Sequence, residues 1–328
     1  MNLSPLPGEY CILDDQDEKV EIKGLQDENG IVYWYRKLKT PVCLTGECKL
    51  IEIGIYWDCT GSFRGLEVYG EHLTKTDHSD FSQQDYDQLM SILQNDWSIL
   101  REYELSELVD DPYADAEVDG ATGATKKEIA DEAVDDAVYT TYTIWHLIHV
   151  GEKEQLAALT LTELKSDDEL MSKLLKSSKK EYSYFLLDLL AQGKLSPSPL
   201  TDSLVIKGLN TEDDPHLSTL VSQSLAKSNV NSTFIQTELA KIYHHAPMNE
   251  KLQILSALKD INTIDQSLYD ALSEDMDMEN EWFLLKILEV LKSASHHSDK
   301  VIITAQQLTK SENSLLRQSA TELLTRVD

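Results

Sequence analysis

The most informative stretch of the chain combines an acid, two threonines and small residues. It reads Asp119-Gly-Ala-Thr122-Gly123-Ala124-Thr125. Thr125 carries a hydroxyl group that can serve as a nucleophile, and the small side chains before it add little bulk. Lys126 and Lys127 add two positive charges directly after it. The segment thus combines a nucleophilic oxygen, little side-chain bulk and local positive charge.

This motif resembles the acceptor sequence of flavinylated FMN-binding domains, the type found in Rnf and sodium-pumping NADH:quinone reductase complexes. In that family a flavin transferase joins the phosphate of FMN to the last threonine as a phosphoester. The resemblance covers roughly residues 45–150 and implies covalent FMN on Thr125. The family's other fixed positions correspond to Asp119, Thr122, Gly123 and Ala124. It further implies an electron-transfer protein that works outside the cytoplasm.

Thr125 also fits a purely structural role. Thr125 and Glu128 have the spacing of a capping box, in which the two side chains satisfy the first free N–H groups of a helix. We therefore expect a long helix from about Lys126 to Val150. Its N-terminus would favour phosphate through its free N–H groups and its dipole. A capping box leaves the acid, the first threonine and the small residues before Thr125 unexplained.

The expected helix has two faces. Its apolar face, which should pack on a sheet, includes Ile129, Ala133, Ala137, Thr141, Ile144 and Ile148. Its second face is aromatic and consists of Tyr139, Tyr142, His146 and His149. The rings of Tyr142 and His146 could lie against the isoalloxazine of FMN or against a docking partner. The alternative is an amphipathic helix between two domains with a solvated aromatic edge. The sequence offers no third ligand at a spacing typical of metal sites, so it predicts no metal site here.

The cysteines are few and all lie near the N-terminus, at Cys11, Cys43, Cys48 and Cys59. Four residues separate Cys43 from Cys48, and Gly46 among them would let the loop close into a disulfide. This pair could also form a redox-active dithiol that feeds a flavin. The alternative is two ordinary cysteines in a β-rich domain.

Length, composition and charge exclude several classes of protein. The chain has 328 residues, of which 41% are hydrophobic and 27% charged, so we expect two folded domains. Its 29 basic and 58 acidic residues give a net charge of −29, which argues against nucleic acid and anionic membranes as partners. No apolar run approaches the roughly 20 residues that span a bilayer. The polar, acidic N-terminus is not a signal peptide, so the chain is either cytoplasmic or exported by a signal outside it.

The first half predicts strands and turns. Candidate strands rich in branched and aromatic residues run over 19–25, 31–38, 50–57 and 63–69. Asn29-Gly30 and Thr60-Gly61 mark the turns between them. Ser82 can cap a helix that extends to about Asn95.

The second half predicts helical repeats. Equivalent positions 33 or 34 residues apart are Leu186, Leu220, Ile254, Ile287 and Ala320. Such a period is typical of a solenoid of helix pairs, and the pattern looks like HEAT-type repeats. A plain helical bundle would produce nearly the same signal.

These patterns predict an α+β domain over residues 1–150, with an antiparallel sheet and helices. An all-α HEAT-like solenoid follows over 151–328. The leading hypothesis is a periplasmic or otherwise extracytoplasmic redox carrier with covalent FMN, matured by a flavin transferase and steered toward a basic protein partner such as a cytochrome. We assign it no catalytic residue of its own. The alternative is a non-enzymatic HEAT-repeat scaffold with a β-rich recognition module, and a third hypothesis is a thiol-redox protein.

Overall fold

A computed structural model describes residues 2–14, 17–43, 50–109, 125–211, 214–277 and 280–325. Six strands of this part form one curled antiparallel sheet: β1 (Ser4–Pro5), β2 (Tyr10–Leu13), β3 (Lys19–Gln26), β4 (Val32–Thr40), β5 (Ile51–Asp58) and β6 (Phe63–Tyr69). The strand order is β1-β3-β4-β5-β6, and β2 pairs with the other half of β3. The four long strands lie where the sequence predicts them.

Side chains that anchor short turns set the register of the sheet. Asp27 accepts hydrogen bonds from the N–H groups of Asn29 and Ile31, both at 2.9 Å, while Gly30 takes a φ of 72°. Asp58 does the same for Thr60 in the turn between β5 and β6, and Arg64 pairs with its carboxylate. Such Asx turns compete well with extended backbone and therefore end the strands at these residues.

One face of the sheet forms the core of the first unit. Trp34, Ile53, Ile55 and Trp57 on this face are fully buried. The helices of the unit are α1 (Gln83–Leu93), α2 (Val138–His149) and α3 (Glu152–Ser166), joined by 3-10 turns at Ile99–Glu102, Leu105–Glu107 and Ala130–Glu132. The Trp34 indole donates to the Thr160 hydroxyl of α3 at 2.9 Å, and the Trp57 indole donates to the Ile148 carbonyl of α2 at 3.1 Å. These bonds satisfy the polar tips of two of the three fully buried tryptophans within the described residues.

The predicted helix over 126–150 is wrong in its first half, because α2 begins only at Val138. Carbonyls that would bond within a longer helix are used elsewhere. The Ala133 carbonyl accepts from the Gln88 side chain at 3.1 Å, and the Asp136 carbonyl accepts from both donors of Thr76 at 2.7 Å. Asp136 itself has a φ of 58°, which ends any helical run before it. Tertiary contacts therefore override a helical sequence pattern here.

The chain then continues as ten further helices within the described residues. They are α4 (Asp168–Lys176), α5 (Lys180–Ala191), α6 (Pro199–Leu209), α7 (Pro215–Leu225), α8 (Thr233–His245), α9 (Met248–Ala257), α10 (Gln266–Glu274), α11 (Glu281–Leu291), α12 (Asp299–Leu308) and α13 (Ser314–Leu324). Compactness divides the chain into Met1–Lys173 and Leu174–Asp328. The α+β fold followed by an all-helical region is thus confirmed.

The helical unit consists of helix pairs that follow the sequence period. The five repeated positions all fall in the second helix of a pair and are buried, as in Leu186 of α5 and Ile254 of α9. Each second helix contacts the next, from α5 through α7, α9 and α11 to α13, and α6, α8 and α10 contact in the same way. The HEAT-type assignment stays a prediction. No described helix has the length and apolar character needed to cross a membrane.

Candidate functional site

Thr125 lies in an isolated β-bridge and not at the start of a helix. It pairs antiparallel with Val109, and the N–H of the next residue, Lys126, donates to the Leu108 carbonyl at 3.1 Å. Leu108 is fully buried and ties this segment to the core. The capping-box explanation for Thr125 is therefore wrong, and the argument that a helix N-terminus favours phosphate there is wrong with it.

The hydroxyl of Thr125 is available for chemistry. The residue is half-buried, and its side chain forms no hydrogen bond within the part of the chain that the structure describes. The backbone pairing with Val109 positions the residue without using its hydroxyl. An acceptor for a modifying enzyme needs this combination of a positioned backbone and an unengaged side-chain oxygen.

Two lysines beside Thr125 provide local positive charge. Neither Lys126 nor Lys127 forms an ion pair with a residue that the structure describes. The Lys126 ammonium lies 5.1 Å from the centroid of the Tyr103 ring, a cation–π distance, and Lys127 is exposed. In a chain with a net charge of −29, these two side chains form a small region of positive charge beside Thr125. The Tyr103 hydroxyl donates to the Glu128 carboxylate at 3.2 Å, so one negative charge lies in the same region.

An aromatic cluster lies next to this region and includes two of the predicted residues. Tyr142 donates its hydroxyl hydrogen bond to the Tyr103 carbonyl at 2.7 Å. The His146 ring stacks on the Tyr142 ring with centroids 3.8 Å apart and planes at 29°. Tyr103 thus links Thr125, through Lys126, to Tyr142 and His146. We call Tyr103, Tyr142 and His146 the aromatic cluster.

Burial determines the protonation of the cluster. It raises the pKa of Tyr142, with a further contribution from the carboxylates of Glu104 and Glu107, so the phenol stays protonated and donates. Burial lowers the pKa of His146, whose Nδ1 lies 3.2 Å from the Tyr142 carbonyl. The cluster is therefore neutral near pH 7 and offers aromatic surface rather than charge.

The aromatic face of α2 is less exposed than a solvated aromatic edge between two domains would be. Tyr142 and His149 are buried, while Tyr139 and His146 keep a partly exposed surface. The segment after α1 covers this face, because the Leu93 carbonyl lies 2.9 Å from Nε2 of His149 and the Asn95 carbonyl accepts from the Trp145 indole at 2.8 Å. That alternative is wrong for Tyr142 and His149.

Sequence reasoning missed Tyr103. This residue lies far from the motif along the chain and belongs to no periodic pattern. The bridge between Val109 and Thr125 and the bond from the Tyr103 hydroxyl to Glu128, at 3.2 Å, bring the two segments together. Such isolated pairings have no sequence signature. The one available signal was a tyrosine placed between two short turns.

Other predicted site residues fall outside this geometry. Asp119, Thr122, Gly123, Ala124 and Cys48 lie outside the described residues. Cys43 is disulfide-bonded, whereas Cys11 and Cys59 carry thiols.

The described residues contain no group of three or more His, Cys, Asp or Glu side chains that could hold a metal ion. No model of a known protein family matches the chain, and no curated protein shows significant similarity to it. The assignment of this site therefore depends on its motif, its geometry and its chemistry.

Acidification below about pH 6.5 is expected to destabilise the protein through His146 and His149. Burial lowers the pKa of both rings, so the unfolded chain takes up protons at about pH 6.5 while the folded chain stays neutral. Their contribution to stability is complete above that pH and is lost as the pH falls toward the folded pKa values, by at most about 1.4 kcal/mol per pH unit for each ring. Urea unfolding at pH 7.5, 6.0 and 5.0 measures it.

The matched comparison for this pH effect uses His149→Gln and His72→Gln. His149 is buried and His72 is exposed. We expect the first variant to lose less stability on acidification than the wild type, and the second to follow the wild-type curve. Parallel curves for all three proteins would show that acid acts through other groups.

Proposed function

We propose that this protein is an electron-transfer flavoprotein that carries FMN covalently on Thr125 through a phosphoester bond. The observation that carries the proposal is the hydroxyl of Thr125, which forms no hydrogen bond within the described residues. The bridge with Val109 holds it beside two lysines that form no ion pair within the same residues. The resemblance of residues 119–125 to flavinylation motifs supports the same assignment. The aromatic cluster supplies the neighbouring ring surface that a flat cofactor requires.

The attachment is a phosphoryl transfer to the threonine oxygen. With FAD as donor, a new bond forms between Oγ1 of Thr125 and phosphorus, the pyrophosphate bond breaks, AMP leaves, and the hydroxyl proton passes to solvent. A separate flavin transferase supplies the catalytic groups, so the chain itself is a redox carrier rather than a stand-alone enzyme. Lys126 and Lys127 would offset the remaining charge of the phosphodiester.

The protein's own residues would then position and shield the cofactor. When bound, FMN supplies the reversible redox chemistry, while the protein provides position and access. Tyr103 and His146 offer partly exposed rings that could contact the flavin. Because the pKa of His146 is lowered by burial, this ring would add no positive charge near a flavin at neutral pH.

The charge of the chain bears on its partner and its compartment. A net charge of −29 would steer a basic redox protein to this one, and such association weakens with added salt. An extracytoplasmic site is proposed from the family resemblance. The disulfide at Cys43 supports this location, because disulfides persist in oxidising compartments.

The test of the function is coexpression with an active flavin transferase and, in parallel, with a catalytically inactive one. Only the active enzyme should increase the intact mass by FMN less one water and produce a band that fluoresces after denaturing electrophoresis. Peptide mapping should place the added mass at Thr125. Absence of the mass increase, with the transferase active on another acceptor, would contradict the proposal.

A second candidate function is a protein-binding scaffold, and one observation in the helical unit favours it. Trp282 and Leu315 occupy equivalent positions in the neighbouring helices α11 and α13, and they are 54% and 61% exposed. Large apolar side chains exposed at repeated positions are typical of docking surfaces. If no flavin is attached, this surface becomes the leading functional feature. If flavin is attached, it would dock a redox partner.

A further inference from the structure

The sheet has a second face, opposite the one that carries Trp34 and Trp57. Strand register places Lys23, Tyr35, Tyr56 and Gly65 in one row across β3, β4, β5 and β6 of this second face. Tyr35 is only 8% exposed, Tyr56 is half-buried and Lys23 is exposed. Gly65 has only the edge of the Tyr56 ring nearby, which leaves this end of the row open.

This row forms the floor of a cleft of about 570 Å³. Arg64 and Glu67 also line it. A smaller neighbouring cleft of about 440 Å³ shares Lys23 and Tyr35 and adds Lys37 and Lys39. Sites of roughly 300–1,000 Å³ accommodate small organic molecules. The size of the first cleft therefore suits a compact ligand rather than a protein segment.

The tyrosines of the cleft are held by their own hydrogen bonds. The Tyr35 ring lies against Gly54, where any Cβ would meet its hydroxyl at 2.6 Å. The Tyr35 and Tyr69 hydroxyls are 2.9 Å apart, and Tyr69 in turn donates to Glu67. Tyr35 and Tyr56 contact each other with ring centroids 4.7 Å apart. The largely buried Tyr35 ring thus fixes the half-buried Tyr56 ring, which forms a preorganised surface for a flat ligand.

The basic side chains around the cleft differ in whether they form ion pairs. Arg64 is paired with the buried Asp58, and Glu52 accepts from both Lys37 and Lys39. Lys23 is exposed and forms no ion pair within the described residues. Burial and the Glu67 carboxylate raise the pKa of Tyr56 to about 12, so its hydroxyl stays protonated at neutral pH. One charged donor therefore remains for an anionic ligand beside an aromatic floor.

We propose that this cleft binds a small aromatic carboxylate, with the carboxylate next to Lys23 and the ring on Tyr56, beside the edge of Tyr35. A purely apolar ligand would leave Lys23 unused, and a polyanion such as nucleic acid would meet a chain of net charge −29. The site shares no residue with the Thr125 region and does not depend on the proposed flavin.

The test is calorimetric titration with 2-naphthoate and with uncharged 2-naphthamide, on protein produced without a flavin transferase. Naphthoate should bind about tenfold more tightly than naphthamide, as expected for one charge-assisted contact. Lys23→Met should weaken naphthoate binding about tenfold and leave naphthamide binding unchanged. Lys23→Arg keeps the positive charge and should retain most of the affinity.

The matched control is Lys165→Met, on α3. Lys165 is also exposed, and it lines none of the clefts that contain Lys23. It should leave both affinities unchanged. The proposal is overturned if naphthoate does not bind, if naphthamide binds equally well, or if the two lysine variants weaken naphthoate binding to the same extent.

Discussion

Thr125→Ala is expected to abolish covalent flavin attachment completely. The alanine lacks the oxygen that forms the bond to phosphorus, and among the described residues no other hydroxyl residue takes part in the bridge with Val109. Thr125→Ser keeps the oxygen and should retain the mass increase. Intact mass after coexpression with an active flavin transferase measures both variants.

The control for this result is Thr143→Ala, a half-buried threonine on α2 outside the motif. It should carry the same mass increase as the wild type. Thr125→Ala itself should change the free energy of unfolding by less than about 1 kcal/mol, because its hydroxyl forms no hydrogen bond within the described residues. Full flavin attachment in Thr125→Ala would show that another residue is the acceptor and would refute the assignment.

Arg36→Met is expected to destabilise the first unit by about 3–5 kcal/mol. The Arg36 guanidinium on β4 pairs with the Glu152 carboxylate at the start of α3, and the two residues are only 8% and 5% exposed. Removing the arginine would leave a buried carboxylate without its main counter-charge, in a place that water reaches poorly. Urea denaturation followed by circular dichroism measures the loss.

The matched control is the ion pair between Asp96 and Lys153, the residue that directly follows Glu152. These side chains are 33% and 43% exposed, so Lys153→Met should cost no more than about 1 kcal/mol. The double variant Arg36→Met with Glu152→Leu should recover much of the lost stability, because it removes both charges together. Equal losses of unfolding free energy for Arg36→Met and Lys153→Met would show that burial does not determine the cost of removing one partner of an ion pair.

Much of the fold follows from local sequence patterns. The strands over 19–26 and 51–58 are rich in branched and aromatic residues, and their turns contain Asp or Gly at the required positions. The helix after Ser82 begins with a capping box between Ser82 and Asp85, as its sequence indicates. The helical period is equally local, since each repeated apolar position must be buried against a neighbouring pair.

The candidate site was predictable only in part. The sequence by itself identified Thr125 as the acceptor candidate and placed Tyr142 and His146 on one face of α2, because a motif and a helical period are local properties. The backbone between Thr125 and Val138, the position of Tyr103 and the row from Lys23 to Gly65 were decided by tertiary structure. In each of these cases the deciding interactions join residues that are distant in sequence: the Asp136 carbonyl accepts from Thr76, Thr125 pairs with Val109, and the row depends on strand register. Contacts of this kind leave no periodic trace in a single sequence, and their free energy outweighs the local helical preference of residues 126–137.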